Sequence, residues 1–252
     1  MRKTSKRKLS LSPTRIAAFL ECPLKYKFLY IDKIGRLYYR PNPGITFGGT
    51  IHRVLQSFHQ PSAEETPVEG LIEEYRRSWV SSGYSTEAEE REFKDAGEQI
   101  LRSYHSVEPT REAKTISTEK TIKWDMGDFI LSGRIDRLDE HADGALEIID
   151  YKSGRHSSTE EEVRNSLAMS IYQLILKKLN PDRRVFASIH CLAGCMKASA
   201  ELSDDDLLET EEGVRSAASA IMGAEEYIPM TWEGCTDCDF YRLCSRQPWF
   251  NE

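Results

Sequence analysis

Two apolar segments with the composition of β-strands, joined by a short polar link and each carrying an aspartate near its end, constrain this chain more than any other feature. Phe129-Ile130-Leu131-Ser132-Gly133-Arg134-Ile135-Asp136 and Leu146-Glu147-Ile148-Ile149-Asp150-Tyr151-Lys152 are rich in β-branched and aromatic residues. His141-Ala142-Asp143-Gly144 suits the turn of a hairpin between them. In a strand, side chains two apart share a face, so Asp150 and Lys152 look into one space roughly 6 to 7 Å apart. The hairpin sets Asp136 beside them. Two carboxylates with open coordination positions suit Mg²⁺ or Mn²⁺, which prefer oxygen donors and keep waters that a phosphate can displace. The pattern therefore predicts metal-assisted cleavage of a phosphodiester.

At 252 residues the chain can bury one large core, and nothing in it requires two. A hydrophobic content of 39% against 30% charged residues fits a soluble protein. No run approaches the ~18 apolar residues of a membrane span, so a cytoplasmic protein with no membrane partner is expected. The basic start, Met1-Arg2-Lys3-Thr4-Ser5-Lys6-Arg7-Lys8, lacks the apolar stretch of a signal peptide, and residues 1–10 are expected to form a flexible arm. The net charge of −7 argues against a long duplex-coating surface. Much of the acid lies in Glu160-Glu161-Glu162 and in residues 201–212, whereas Arg134, Arg137, Lys152 and Arg155 surround the aspartates, which leaves room for a local strand channel. There is no Gly-x4-Gly-Lys-Ser/Thr phosphate loop, so any motor must belong to a partner.

Ser12-Pro13 marks a helix start, with Ile16, Phe19 and Leu20 at helical spacing. Pro23 should kink the chain at Cys22 before a second helix through Tyr26, Phe28 and Leu29. Phe47, Ile51, Val54, Leu55 and Phe58 predict another helix, and residues 66–82 and 86–106 two more. Strands begin near Thr115. After the hairpin come a helix over 160–179 closed by Asn180-Pro181, a buried strand over 185–192, a strand over 197–202 and a helix over 204–223 capped by Ser203. This order is mixed α/β.

Three of the six cysteines crowd together as Cys235-x2-Cys238-x5-Cys244. In a chain without a secretion signal such crowding favours a metal site over disulfides. Zinc and an iron–sulfur cluster both accept four thiolates. The fourth would be Cys22, at the proline kink; Cys191 and Cys195 read as ordinary thiols within and just after a strand.

These motifs together resemble the RecB-like branch of the PD-(D/E)xK nucleases, including AddB-type nuclease domains and CRISPR-associated RecB-like exonucleases, over nearly the whole chain. The resemblance implies a restriction-endonuclease-like core with a mixed central sheet, a helical N-terminal region and termini stapled by a [4Fe-4S] cluster on Cys22, Cys235, Cys238 and Cys244. It makes His52, in Gly48-Gly49-Thr50-Ile51-His52, a metal ligand alongside Asp136, Asp150 and the Tyr151 carbonyl, with Mg²⁺ or Mn²⁺ bound and Lys152 catalytic. One domain over 11–252 would then comprise a helical part (11–110), a catalytic core (111–225) and a cluster-binding segment (226–252). The implied activity is that of a DNA exonuclease on single-stranded ends, in repair and recombination or in CRISPR-related defence, with a helicase or an integration complex as partner.

Family members often carry Gln-x-x-x-Tyr on the helix after the lysine strand. Here Tyr172 stands in place but Ala168 occupies the glutamine position, and Gln173 is a poor substitute. That departure opens the alternative of a weakly active or inactive DNA-end-binding subunit. Arg134, Glu119 and Tyr172 are candidates for substrate contact. For Glu119 a solvent-facing place on the first strand is the weightier expectation, and for Tyr172 a place in the core.

Overall fold

A computed structural model describes residues 8–60, 66–108 and 113–251. Residues 1–7 of the expected arm, and the boundary drawn between residues 110 and 111, lie outside this range. Leu9 and Ser10, also assigned to the arm, instead belong to a three-residue strand, β1 (Leu9–Leu11), paired in parallel with residues 129–131. A basic prefix says nothing about the three residues after it: the fully buried Leu11 and a 3.1 Å contact between the Ser10 and Ser132 hydroxyls hold this strand in place.

The Ser12 hydroxyl accepts from the Arg15 N–H to cap α1 (Pro13–Glu21). Cys22 is extended at φ −162° and ψ 111°, the kink expected ahead of proline, and α2 (Pro23–Tyr26) follows. After a π-helical turn (Lys27–Ile31) and α3 (Gly35–Tyr38) comes α4 (Pro43–Phe58), capped by Asn42, with Phe47, Ile51, Val54 and Leu55 buried. Then α5 (Val68–Arg77) and α6 (Glu87–Val107) form a layer with α4. The strands β2 (Lys114–Asp125), β3 (Phe129–Glu140) and β4 (Leu146–Lys152) follow, β3 and β4 as the expected antiparallel hairpin with Gly144 at φ 82° in its turn. The single helix expected over 160–179 is two, α7 (Glu160–Arg164) and α8 (Leu167–Leu179). Asn165 closes the first and the Ser166 hydroxyl caps the second, a local competition between side chain and backbone that apolar spacing does not register. β5 (Val185–Cys191), β6 (Met196–Ala200), α9 (Asp204–Gly223) capped by Ser203, and a short α10 (Tyr241–Cys244) complete the chain.

The six strands form one mixed sheet in the order β1-β3-β4-β5-β6, with β2 on β3. β2 covers one edge of β3 along most of its length. On the other edge β1 takes residues 129–131 and β4 takes residues 137–140, so β3 and β4 part at Asp136 and Asp150. The pleat also breaks there. Ile135 and Leu138, three apart, reach the same apolar cluster, while Arg137 between them points to the opposite face. Facing Asp136, between the pairs Thr118↔Arg137 and Lys120↔Ile135, Glu119 adopts φ 51°, a left-handed conformation that non-glycine residues take up only at a cost.

Apolar side chains cover both faces. Leu131, Ile148, Ile171, Ile189 and Ala218 belong to the layer shared with α1, α8 and α9. Ile51, Leu55, Leu71, Leu101, Ile149 and Leu192 belong to the layer under α4, α5 and α6. Burial on two faces fixes the strand register, because a one-residue slip would exchange them. No helix among the described residues is long and apolar enough to cross a membrane.

Candidate active site

The parting of β3 and β4 would expose backbone groups if nothing filled it, and polar side chains fill it. The Tyr151 N–H donates to Asp136 Oδ2 at 2.9 Å across the gap. On α4, His52 reaches the same point: its Nε2 lies 3.0 Å from the Tyr151 carbonyl and its Nδ1 3.3 Å from Asp136 Oδ2. Gly48, one turn earlier, lets α4 come this close, since a Cβ there would stand 3.2 Å from the Ser153 hydroxyl. Lys152 Nζ lies 2.7 Å from Asp150 Oδ2, as the two-residue spacing requires. An open cleft of about 590 Å³ fronts His52 and Asp136, lined also by Gly49, Arg53, Glu119 and Arg134, while Asp150 and Lys152 lie outside its lining.

Glu119 corrects the expectation of a solvent-facing residue. Its side chain is 12% exposed and pairs with the Arg134 guanidinium, and its carboxylate, His52 and Asp136 offer ligand atoms all within 4.8 Å of one another. The left-handed backbone overrides the alternation from which its direction was inferred. No motif marks it. Arg134, at the rim, is largely exposed. Tyr172 is part core and part site: it packs beside the apolar layer, and a Cβ on Gly133 would run into its ring. Burial and the charges of Asp150 and Asp136 push its hydroxyl up to about 12. Gln173 is buried and accepts from the Leu202 N–H, turned away from the cleft, and Ala168 lies partly buried against the core.

The electrostatics describe a site with surplus negative charge. Burial raises the pKa of Asp150, and the Asp136 charge raises it further against the pull of Lys152. Burial likewise raises Glu119, again reinforced by Asp136 and opposed by Arg134. Burial would lower His52, but its hydrogen bond to Asp136 and the charges of Asp136 and Asp150 outweigh that and raise it. Carboxylates that hold their protons this way are relieved by a cation between them. The donor set of imidazole, carboxylates and one peptide carbonyl fits Mg²⁺ or Mn²⁺.

A second constellation lies where the termini meet. Cys22, Cys235, Cys238 and Cys244 line one cavity together with Phe28, Trp232, Trp249 and others. The Met230 N–H points at Cys22 Sγ at 3.5 Å and the Trp232 N–H at Cys235 Sγ at 3.4 Å. Burial, and then the neighbouring Cys238, Cys22 and Cys235, push the Cys244 thiol up to about 11. The four thiols are spread around the cavity: among the described residues, His52, Glu119 and Asp136 alone form a set of three or more potential ligands within 4.8 Å. Four sulfur donors with N–H groups directed at two of them fit the chemistry of a thiolate-bound cluster. Cys191 is buried in β5, and Cys195 follows it at φ 50°, away from this cavity.

The profile of the PD-(D/E)XK nuclease superfamily matches residues 10–245, and the chain belongs to that superfamily. It is 27% identical over 182 residues to the B-type component of the ATP-dependent helicase/deoxyribonuclease of Streptococcus pyogenes serotype M12, strain MGAS2096, and 26% identical over the same length to that of serotype M6. The match covers 69% of this chain and 17% of those relatives, so the chain spans about a sixth of their length. Its fold is similar to the crystal structure of an exonuclease candidate from Eubacterium rectale, with a TM-score of 0.56 at 13% identity over 93% of this chain and 87% of that one.

Proposed function

We propose that this domain is a Mg²⁺- or Mn²⁺-dependent deoxyribonuclease acting from single-stranded DNA ends. The convergence of His52, Glu119 and Asp136 beside the Asp150–Lys152 pair, at the point where the catalytic strands part, carries the reading. His52, Asp136, Asp150 and the Tyr151 carbonyl hold the metal, with Glu119 as a further donor. When bound, the ion polarises the scissile phosphate and lowers the pKa of its water. Lys152 orients the attacking water and offsets charge developing on the phosphate; as a compact ammonium it serves both at once. Arg134, freed from Glu119 when that carboxylate turns to the ion, faces the phosphate of an entering strand. Tyr172 stacks on or borders the same strand.

Cys22, Cys235, Cys238 and Cys244 hold a [4Fe-4S] cluster that ties the N-terminal helices to the C-terminal segment. A helicase is the natural partner, because the relatives are components of an ATP-dependent helicase/deoxyribonuclease; an integration complex of the CRISPR type is the other. Ala168 in the glutamine position favours a second reading, a weakly active or inactive subunit that grips DNA ends. End-labelled single-stranded and duplex DNA and RNA, incubated with purified protein with and without Mn²⁺, decide between them. Shortening from one end in Mn²⁺ is expected, and binding without cleavage in every metal would establish the second reading.

A further inference from the structure

Deeper than the site, within the layer under α4, α5 and α6, lies a buried polar cage that the proposed chemistry does not use. Arg137, 2% exposed, is at its centre. Its guanidinium forms a bidentate pair with Asp139 at 2.7 Å for each bond, and its Nη1 lies 2.6 Å from Glu108 Oε1 and 2.7 Å from His59 Nε2. The Tyr104 hydroxyl stands 3.1 Å from the same nitrogen and 2.6 Å from His59 Nε2. The Tyr151 hydroxyl closes the cage, 3.0 Å from the Tyr104 hydroxyl and 3.4 Å from Arg137 Nη1. A charge this deep is retained only with its partners in good geometry, so the cage resists distortion.

Tyr151 belongs to both the cage and the site. Its hydroxyl is fixed in the cage, its N–H holds Asp136 Oδ2, and its carbonyl faces His52 Nε2. One residue thus spaces two candidate metal donors, and the cage sets where that residue stands. His59, the C-cap of α4, lies two helical turns beyond His52, so the same cage also anchors the end of the helix that carries the imidazole. Glu108, just past the end of α6, and Asp139 on β3 tie the remaining walls to it.

We infer that Tyr151 is a positioning residue whose hydroxyl, held by the Arg137 cage, keeps its peptide group at the spacing that Asp136 and His52 need to share one divalent cation. This rests on the metal site proposed above. Groups that orient metal ligands from outside the donor set typically change metal affinity by 10- to 100-fold when removed.

The test uses Tyr151→Phe, which keeps the ring, the N–H and the carbonyl and removes only the hydroxyl. Mn²⁺ binding is read from the loss of the free-ion paramagnetic resonance signal, and turnover on end-labelled DNA is read alongside. Tyr151→Phe is expected to weaken Mn²⁺ binding about tenfold and to lower kcat at limiting metal with KM for DNA unchanged. Tyr75→Phe, which removes a buried hydroxyl that donates to the Phe93 and Lys94 carbonyls in the same helical layer and has no place in the cage, is the comparison. It is expected to lower the melting temperature to a similar degree and to leave Mn²⁺ affinity at the wild-type value. Equal affinity in wild type and Tyr151→Phe overturns the positioning role, and so does an equal loss in both variants, which would mean general loosening. Wild-type protein that takes up no Mn²⁺ overturns the metal site itself, a result distinct from either.

Discussion

Lys152 Nζ stands 2.7 Å from Asp150 Oδ2, and Asp150 is at the same time exposed to the charge of Asp136 across the strand fork. The ammonium therefore does two things before any substrate arrives: it opposes the burial and the Asp136 charge that together raise Asp150, and it holds a positive charge at the rim of the metal site. Lys152→Ala is expected to lower cleavage roughly a thousandfold, the scale of losing one aligned electrostatic donor. DNA binding by filter retention and the melting temperature should stay near wild type, since the Lys152 side chain is only half-buried and packs into neither core layer. Undiminished turnover in this variant would remove Lys152 from the chemistry.

The pH dependence follows from three groups. His52, Glu119 and Asp150 all hold their protons more tightly in the folded, metal-free protein than their ordinary values of 6.5, 4.5 and 3.8. A raised folded pKa contributes stability that is complete below the ordinary value and is lost as pH rises through the folded one. These groups therefore favour the metal-free fold increasingly as pH falls. Mn²⁺ needs them deprotonated and acts in the opposite sense. The difference in melting temperature between metal-loaded and metal-free protein should shrink as pH falls, beginning above 6.5 with His52. Taking the difference cancels unrelated groups such as Glu147, which despite burial is held down to about 2 by Lys197, Ser188 and His141. A metal-induced increment that stays constant down to the carboxylate range would exclude these donors.

Glu119→Gln tests the donor that sequence reasoning placed in solvent. The amide keeps the shape but removes the charge and frees Arg134. Mn²⁺ affinity by titration is expected to fall by about 10- to 100-fold, with partial recovery of cleavage at high metal. If Arg134 meets the phosphate, its own removal in Arg134→Ala should raise KM for DNA and leave Mn²⁺ affinity unchanged or tighter, because Glu119 is then free.

The contrast between Asp150 and Glu119 shows which features composition and spacing could deliver. The Asp150–Lys152 face, the hairpin, the Cys22 kink and the Ser203 cap each depend on a local rule of period, turn or proline sterics, and each stands where that rule puts it. Glu119 depends on one left-handed backbone dihedral opposite a broken pleat, and alternation assigns its direction wrongly. β1 depends on a pairing 120 residues away in sequence, Leu9 with Phe129, which no local pattern announces. The Arg137 cage needs four elements to be in place before its partners meet, so from sequence Arg137 could be read only as one of several cations near the site.

Ala168 lies on α8 one turn before Tyr172, partly buried at the edge of the core. Ala168→Gln would extend an amide along the side of the helix whose tyrosine covers Gly133. Turnover on single-stranded DNA is expected to rise, since one more donor beside the strand improves its alignment. A melting temperature lowered with no gain in rate, the signature of about 1–3 kcal/mol of overpacking, would mean that this alanine is a packing residue.

Cys22 sits in an extended kink between two helices, and the Met230 N–H points at its sulfur from more than two hundred residues away. The sheet does not secure this meeting, because the last strand ends at Ala200 and after α9 residues 224–232 form neither helix nor strand and short helical turns follow. Aromatic contacts help: Phe240, 2% exposed, packs against Phe28 and Tyr38 with ring centroids 5.0 and 5.6 Å away. If the four thiolates bind a cluster, its binding free energy becomes folding free energy for both ends of the chain. Cys22→Ala should then yield colourless protein with less iron, a lower melting temperature and faster amide hydrogen exchange in α1, α2 and residues 227–250. Because α4 begins some twenty residues after Cys22, its loosening is expected to reduce cleavage without changing the metal preference. Cys191→Ala, which removes a buried thiol from β5 outside the cavity, should keep its iron and serves as the control. Full iron content in Cys22→Ala with an unchanged melting temperature would show that Cys22 is no ligand, and would turn the search for the fourth donor to Cys195.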